Sequence, residues 1–469
     1  MRSATQVARP AGPGAAATIA ALVRGTAPAT EVFTAIAREH PRVAHLHVAR
    51  EHIYVLSHPE PVRELFVTHG RSTVKGRALQ RSRALLGDGL LTSEGDAWRR
   101  RRRLVQPAFH ADRTGTYVTQ MVAAATEHAT TRWHDGVRID VGADMARLTL
   151  TIVGQALLGS DLRDDAADVR RALGEMVGQF QRRVIPGLDV LDRLPLPSNR
   201  RAAEAIASLD RVVERLIRQR RRDGRDRGDV LSSLLAAGMS DRQVRDEVMT
   251  LMLAGHETTA NALTWAWYLL SANPTPAAAM RDELDQVLGP SPGGRDVAVA
   301  DLAALPRTTA VVAETLRLYP PAWAMGRRLV EDVVVDGWTV PAGSLAVASQ
   351  WVLHRDPRFW AEPDRFVPGR WLDAGGRFDQ AAPGAPRGSW FPFGLGQRVC
   401  VGEPFAWAEA VVLLATLARS WSVEVDPGHV PRAQPGVTLR PRGPVPATMR
   451  RSTVAQPIPE PTPRPHPGG

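Results

Sequence analysis

Apolar residues recur every three or four positions over residues 151–159, 169–180, 202–222, 244–272 and 410–421. That spacing gathers them on one face of a helix and predicts α-structure for most of the chain, about a dozen helices in all. The period changes in two places. From Val43 to Leu56, and again over residues 333–350, apolar and β-branched residues stand in short runs, with the Asp336-Gly337 and Ala342-Gly343 pairs supplying turns between them. No repeat of roughly 20–50 residues is visible, so a solenoid is excluded. The pattern predicts a mainly α fold with small β-sheets.

The helix expected from about Val244 to Leu270 is apolar on several faces and belongs in the core, yet Gly255, His256, Glu257, Thr258 and Thr259 stand at its middle. A buried polar group without a partner costs about 1–3 kcal/mol. These residues therefore form either a hydrogen-bonded core cluster beside a glycine kink or a site with a chemical purpose, and the segment alone leaves both open.

Composition narrows the picture. The chain has 469 residues, of which 44% are hydrophobic and 23% charged, a balance that excludes disorder as the main state. Residues 1–20 read as a flexible leader and 453–469 as a proline-rich disordered tail, which leaves 21–452 as one folded domain. The single cysteine, Cys400, excludes an intrachain disulfide and any multi-cysteine zinc or iron–sulfur site. No run approaches the ~18 apolar residues of a membrane span, and no secretory signal is recognisable, so a reducing cytoplasm is expected. The net charge of +10 comes from arginine, because Lys75 is the sole lysine. Without a groove-reading motif or interleaved aromatics, that charge does not predict a nucleic-acid partner.

The neighbours of Cys400 suggest chemistry. Gly394 and Gly396 can adopt turn conformations closed to other residues, and a helix from about Glu403, with Pro404 near its start, brings its positive end to the sulfur. Both effects favour a thiolate. With no histidine or aspartate beside it, that thiolate suits a metal ligand better than a protease nucleophile.

The segment Phe393 to Gly402 reads F-G-x-G-x-R-x-C-x-G, continued by Ala406 and Glu409, and resembles the haem loop of the cytochrome P450 family. The resemblance implies the P450 fold in a single domain, haem b as cofactor and Cys400 as the proximal iron ligand. It also implies Arg398 on a haem propionate, Phe393 beside the sulfur, and Gly394, Gly402 and Ala406 against the cofactor. Further segments are similar to the family. Glu314 and Arg317 match its E-x-x-R pair, which Arg370 in FVPGRW would complete as a structural triad, although the usual glutamate before that arginine is here Gly369. AGHETT resembles the oxygen-binding helix centre, with Ala254 and Gly255 against the haem and Glu257-Thr258 as the catalytic acid–alcohol pair. Trp98 and Arg102 match W-x-x-x-R and would hold a propionate, with Arg328 a further propionate candidate. Leu90 would touch the haem, while Leu91, Leu253, Ala322 and Trp323 would line the substrate pocket.

These resemblances imply a monooxygenase that uses O2 and two externally supplied electrons to hydroxylate or epoxidise a lipophilic small molecule of terpenoid, carotenoid or fatty-acid type. A macrolide- or peptide-tailoring oxidase is the alternative, and a haem sensor without turnover the remote one. The expected partner is an acidic ferredoxin or flavodoxin with its reductase, the run Arg99 to Arg103 reads equally as its docking face or as a solvated basic face, and the expected state is a monomer. The loop from Val184 to Ser198 has the composition of a lid over the pocket or of an ordinary helix connection.

Overall fold

The computed structural model describes residues 9–14, 27–48, 51–162, 165, 168–169, 171–176, 194, 196–291, 293–382 and 384–452. Most of the expected leader, most of the Val184 to Ser198 loop and the tail from residue 453 lie outside the described residues.

The longer helices are α1 (Ala29–Glu39), α2 (Gly95–Val105), α3 (Ala111–Arg132), α4 (Val141–Ile152), α5 (Pro197–Asp223), α6 (Asp241–Ala272), α7 (Pro274–Leu288), α8 (Pro306–Leu318) and α9 (Glu403–Ala418). Ser240 starts the longest of them. Its hydroxyl accepts from the Gln243 N–H, and the Gln243 side chain accepts in return from the Ser240 N–H, a reciprocal cap on the first turn of α6. From there α6 runs 32 residues through the main core, packing on α4, α5, α8 and α9. Trp265 is fully buried on it and stacks on Tyr319, with ring centroids 3.8 Å apart. Gly255 matters for close packing here, because a Cβ at this position would stand 3.0 Å from the Val153 side chain of the π-turn that follows α4.

Short strands complete the frame: β1 (Val43–Val48), β2 (Glu51–Leu56), β3 (Thr73–Lys75), β4 (Arg138–Asp140), β5 (Met325–Leu329), β6 (Val333–Val335), β7 (Trp338–Val340), β8 (Leu345–Ala348), β9 (Trp421–Val425), β10 (Ala433–Pro435), β11 (Leu439–Pro441) and β12 (Pro446–Arg451). The largest sheet has the order β1-β2-β8-β5-β3, and its β2–β8 pair alone is parallel. Asp336 and Gly337 both take positive φ, 53° and 77°, in the tight turn between β6 and β7, as the sequence pattern anticipates. Residues 9–14 reach this sheet, where the Ala11 carbonyl accepts from the His45 N–H at 3.2 Å. Strand β12 joins β4 to β9, and β10 with β11 forms a separate hairpin.

Candidate active site around Cys400

Residues 391–402 form a folded loop ahead of α9. Gly394 and Gly396 have φ of 81° and 68°, and a Cβ on Gly396 would lie 2.2 Å from the Phe66 carbonyl oxygen, so neither position accepts a side chain without strain. The Phe393 carbonyl accepts from the Cys400 N–H at 2.9 Å and closes the loop. Gly402 stands at the N-cap of α9 and directs its N–H at the cysteine sulfur. Burial pushes the Cys400 thiol above its ordinary range, opposed by that N–H and by nearby Arg102. A thiol in such a place ionises when a cation takes it. Cys400 nonetheless carries exposed surface, as does Ala254 halfway along the core helix α6. Exposed surface deep in the protein mass belongs to an internal cleft.

Cations crowd one side of the loop. The Arg398 guanidinium lies 4.0 Å from the centre of the buried Trp98 ring and pairs with Glu94, while its buried Nη1 has no hydrogen-bond partner among the described residues. Arg102, one turn on from Trp98, donates to the Val399 carbonyl at 2.6 Å. Arg327 lies deep beside Arg398, and burial brings it down to about 10. Lys75 donates its ammonium to the Leu90 and Ser93 carbonyls at 2.8 and 2.7 Å, and burial brings it down to about 7. Among the described residues Glu94 is the carboxylate acting on Lys75, Arg327 and Arg398, so the nest holds surplus positive charge and, at Arg398 Nη1, a donor without a partner. That donor set, with a single thiol and an internal cleft, fits an iron macrocycle bearing two carboxylates.

Arg328 departs from the sequence expectation. Neighbouring strand residues point to opposite faces, and on β5 the Arg328 guanidinium is spent on Glu51 and the Gly343 carbonyl, each at 2.7 Å. Arg327 is the arginine that turns toward Arg398. Sequence reading also passed over Lys75 and Glu94, although the uniqueness of the lysine was a usable signal.

On the opposite side, Thr258 donates to the Ala254 carbonyl at 2.6 Å within its own helix. Glu257 does not meet Thr258. Its Oε1 accepts from the Thr438 hydroxyl at 2.5 Å, and Thr438 accepts from Asn261 at 3.1 Å. Burial raises the Glu257 carboxyl, opposed by Thr438 and by Arg440. His256 is buried, and its carbonyl accepts from Thr149 of α4. Gly255 is half-buried beside Val153, where a Cβ would crowd that side chain, so a glycine here serves helix packing.

Leu90 is buried and its N–H donates to Glu247 Oε2 at 2.9 Å; Leu91 is half-buried. Leu253 is buried on α6, Ala322 is exposed, and Ala406 is half-buried on the first turn of α9. Trp323 is held by two contacts: its indole N–H donates to the Gly436 carbonyl at 2.9 Å and its ring meets Phe33 edge-on. The run Arg99 to Arg103 divides by helical phase. Arg99, Arg100 and Arg103 are exposed, whereas Arg101 is buried against Glu247 and Asp88, so the run is not one continuous basic face.

Glu314 and Arg317 are both fully buried and doubly bonded, at 2.8 and 2.9 Å. Arg370 reaches Glu314 at 3.1 Å, and the Trp371 indole and the Val367 N–H add further donors. Gly369 therefore leaves no deficit, because Glu314 gathers its donors elsewhere. Arg317 donates onward to the His354 carbonyl at 2.8 Å, and the His354 ring accepts from the Phe391 N–H at 3.0 Å.

The family model described as cytochrome P450 matches residues 10–445. The chain belongs to the cytochrome P450 family. This P450 is 38% identical to cyclooctatin synthase of Streptomyces melanosporofaciens, with 87% of this chain and 88% of that protein aligned. It is 36% identical to cyclooctat-9-en-7-ol 5-monooxygenase of the same organism, over 84% and 85% of the two chains. It is also 36% identical to pentalenene oxygenase of Streptomyces avermitilis, over 80% and 82%. Its fold matches the solved haem domain of cytochrome P450DA with a TM-score of 0.80 at 24% identity, covering 95% of this chain and 98% of that one. The protein is a P450 monooxygenase with haem b as cofactor, and P450s work on lipophilic substrates with electrons from redox partners. Among the described residues no helix is long and apolar enough to cross a membrane.

Proposed function

We propose that this P450 hydroxylates a terpenoid, by the balance R–H + O2 + 2 e− + 2 H+ → R–OH + H2O. The observation that carries this reading is its 36–38% identity, over four fifths or more of each chain, to relatives named for cyclooctatin, cyclooctat-9-en-7-ol and pentalenene. The apolar character of Leu91, Leu253 and Ala322 supports it.

When bound, haem supplies the oxygen-activating chemistry. Cys400 provides its sulfur ligand, and the N–H of Gly402 steadies the charge on that sulfur. Arg398, Arg102, Arg327 and Trp98 hold the two carboxylates, with Phe393, Gly394, Gly402, Ala406, Leu90 and Ala254 shaping the slot. Thr258 Oγ1 would hand protons into the cleft beside Ala254, and the Glu257 carboxyl would supply them. Glu314, Arg317 and Arg370 hold the chain behind the loop.

Electrons arrive from an acidic ferredoxin or flavodoxin on Arg99, Arg100 and Arg103, whose exposure supports docking. The working unit is a cytoplasmic monomer with one P450 domain over residues 21–452, between a leader and a proline-rich tail. The lone cysteine accords with a reducing compartment.

Purified holoenzyme titrated with terpenes, carotenoids, fatty acids and macrolides tests the substrate class. Terpenes should give the strongest low-to-high-spin spectral shift and a hydroxylated product with a surrogate reductase. A shift and product confined to macrolides would overturn the terpenoid assignment.

A further inference from the structure

The helix centre of α6 holds its acid and its alcohol apart. Thr258 is satisfied by Ala254, and Glu257 by Thr438, with no hydrogen bond between them. Thr438 has one proton to give. It gives it to Glu257 Oε1 at 2.5 Å, which obliges the hydroxyl oxygen to accept, and the Asn261 amide donates to it at 3.1 Å. Asn261 lies four residues beyond Glu257 and so projects from the same face of α6. The resulting chain, Asn261 to Thr438 to Glu257, has a fixed direction of donation.

Thr438 immediately precedes β11, and the hairpin is fastened to the segment that carries Ala322, a residue expected to line the substrate pocket. The Gly436 carbonyl accepts from the Trp323 indole at 2.9 Å, and the Leu439 N–H donates to the Pro321 carbonyl at 2.9 Å. Those two bonds bracket Ala322. A ligand lodged against Ala322 therefore bears on the segment that carries Thr438.

Resting on the monooxygenase reading above, we propose that Thr438 is a positioning residue for Glu257, holding its carboxylate off the Thr258 hydroxyl and releasing it when the cleft wall shifts with substrate. A hydroxyl donating to a carboxylate favours its charged form. Loss of that donor leaves the acid protonated to higher pH. Among the described residues the charged group facing Glu257 is Arg440 of β11, which also favours the charged form. Glu409 of α9 faces Thr259, two residues along and so on the opposite side of α6.

The test compares holoenzyme carrying Thr438→Val or Thr438→Ser with the parent. Two readouts are taken: infrared difference titration of the Glu257 carboxyl, assigned against Glu257→Gln, and product formed per reductant consumed as a function of pH. Thr438→Val should move both profiles upward by about one pH unit, and Thr438→Ser should restore them. Substrate should shift the Glu257 titration in the parent and not in Thr438→Val. Unmoved profiles in Thr438→Val, or a shift that Thr438→Ser does not reverse, would overturn the proposal while wild-type product formation leaves the monooxygenase reading intact. A wild type that binds haem and forms no oxygenated product would instead remove that reading. If Thr438→Val fails to take up haem, Thr438→Ala replaces it in the infrared titration: with the hydroxyl lost, the Glu257 titration should rise, and no rise counts against the proposal.

Discussion

His354 Nε2 accepts a hydrogen bond from the Phe391 N–H at 3.0 Å, while the carbonyl of the same residue accepts from Arg317 at 2.8 Å. One residue thus ties the buried Glu314–Arg317 pair, through its backbone, to the first residue of the cysteine loop, through its ring. Burial, reinforced by nearby Arg317, holds the His354 imidazole well below its ordinary range, so it stays neutral and keeps a lone pair for Phe391. Replacing it with leucine leaves the Phe391 N–H buried without a partner, a loss of about 1–3 kcal/mol. His354→Leu should show a lower melting temperature and less haem per chain, both read on one purified sample.

The same histidine sets a pH dependence. Its folded-state proton affinity is depressed, so below about pH 6.5 the unfolded chain binds a proton that the folded chain refuses, and stability falls with pH. His45, brought down to about 4 chiefly by burial, acts in the same direction. Unfolding by denaturant at pH 7 and pH 5 should show the parent losing stability on acidification and His354→Leu losing less of it. Equal losses would place the acid sensitivity elsewhere.

Arg327 and Arg328 give a clean contrast. Arg327→Ala should lower the haem-to-protein ratio several-fold because it removes a deep cation beside Arg398, whereas Arg328→Ala breaks a pairing with Glu51 on the other face of β5 and should leave that ratio close to the parent value. Pyridine haemochrome assay of both variants decides it.

The arginine run separates docking from folding in the same way. Changing Arg99, Arg100 and Arg103 to glutamine should slow reduction by an acidic ferredoxin and flatten its salt dependence, since exposed charges mainly govern association. Arg101→Gln strands Glu247, whose carboxyl burial already raises, and breaking such a buried pair costs about 3–5 kcal/mol. Stopped-flow reduction of the first variant and thermal melts of the second are the measurements.

Much of the site was legible because its chemistry is local. The turn at Asp336-Gly337, the glycines around Cys400 and the four-residue spacing of Trp98 and Arg102 are all properties of short segments, and short segments can be read. What escaped depends on contacts between distant segments or on strand phase. Arg327 and Arg328 are adjacent letters, and only the pairing of β5 with β3 and β8 decides which one turns inward. The packing of Gly255 against Val153 joins two distant segments, and neither segment alone shows it. Thr438 meets Glu257 across 181 positions, and no periodicity in either segment announces it.

Thr258→Ala should retain haem and substrate binding while lowering product formed per reductant consumed and raising peroxide, because it removes a proton carrier and little packing. Among the described residues its hydroxyl bonds within α6, to Ala254, so the fold has little at stake. Unchanged coupling would make Thr258 a structural residue.

The central claim is that Cys400 binds haem iron through its sulfur, and the carbon monoxide difference spectrum of the reduced protein tests it most directly. The wild type should show the absorption band at about 450 nm that thiolate ligation produces, and Cys400→Ala should lose it, because no second cysteine exists to replace the ligand. A wild type without that band, or a Cys400→Ala variant that keeps it, would contradict the account.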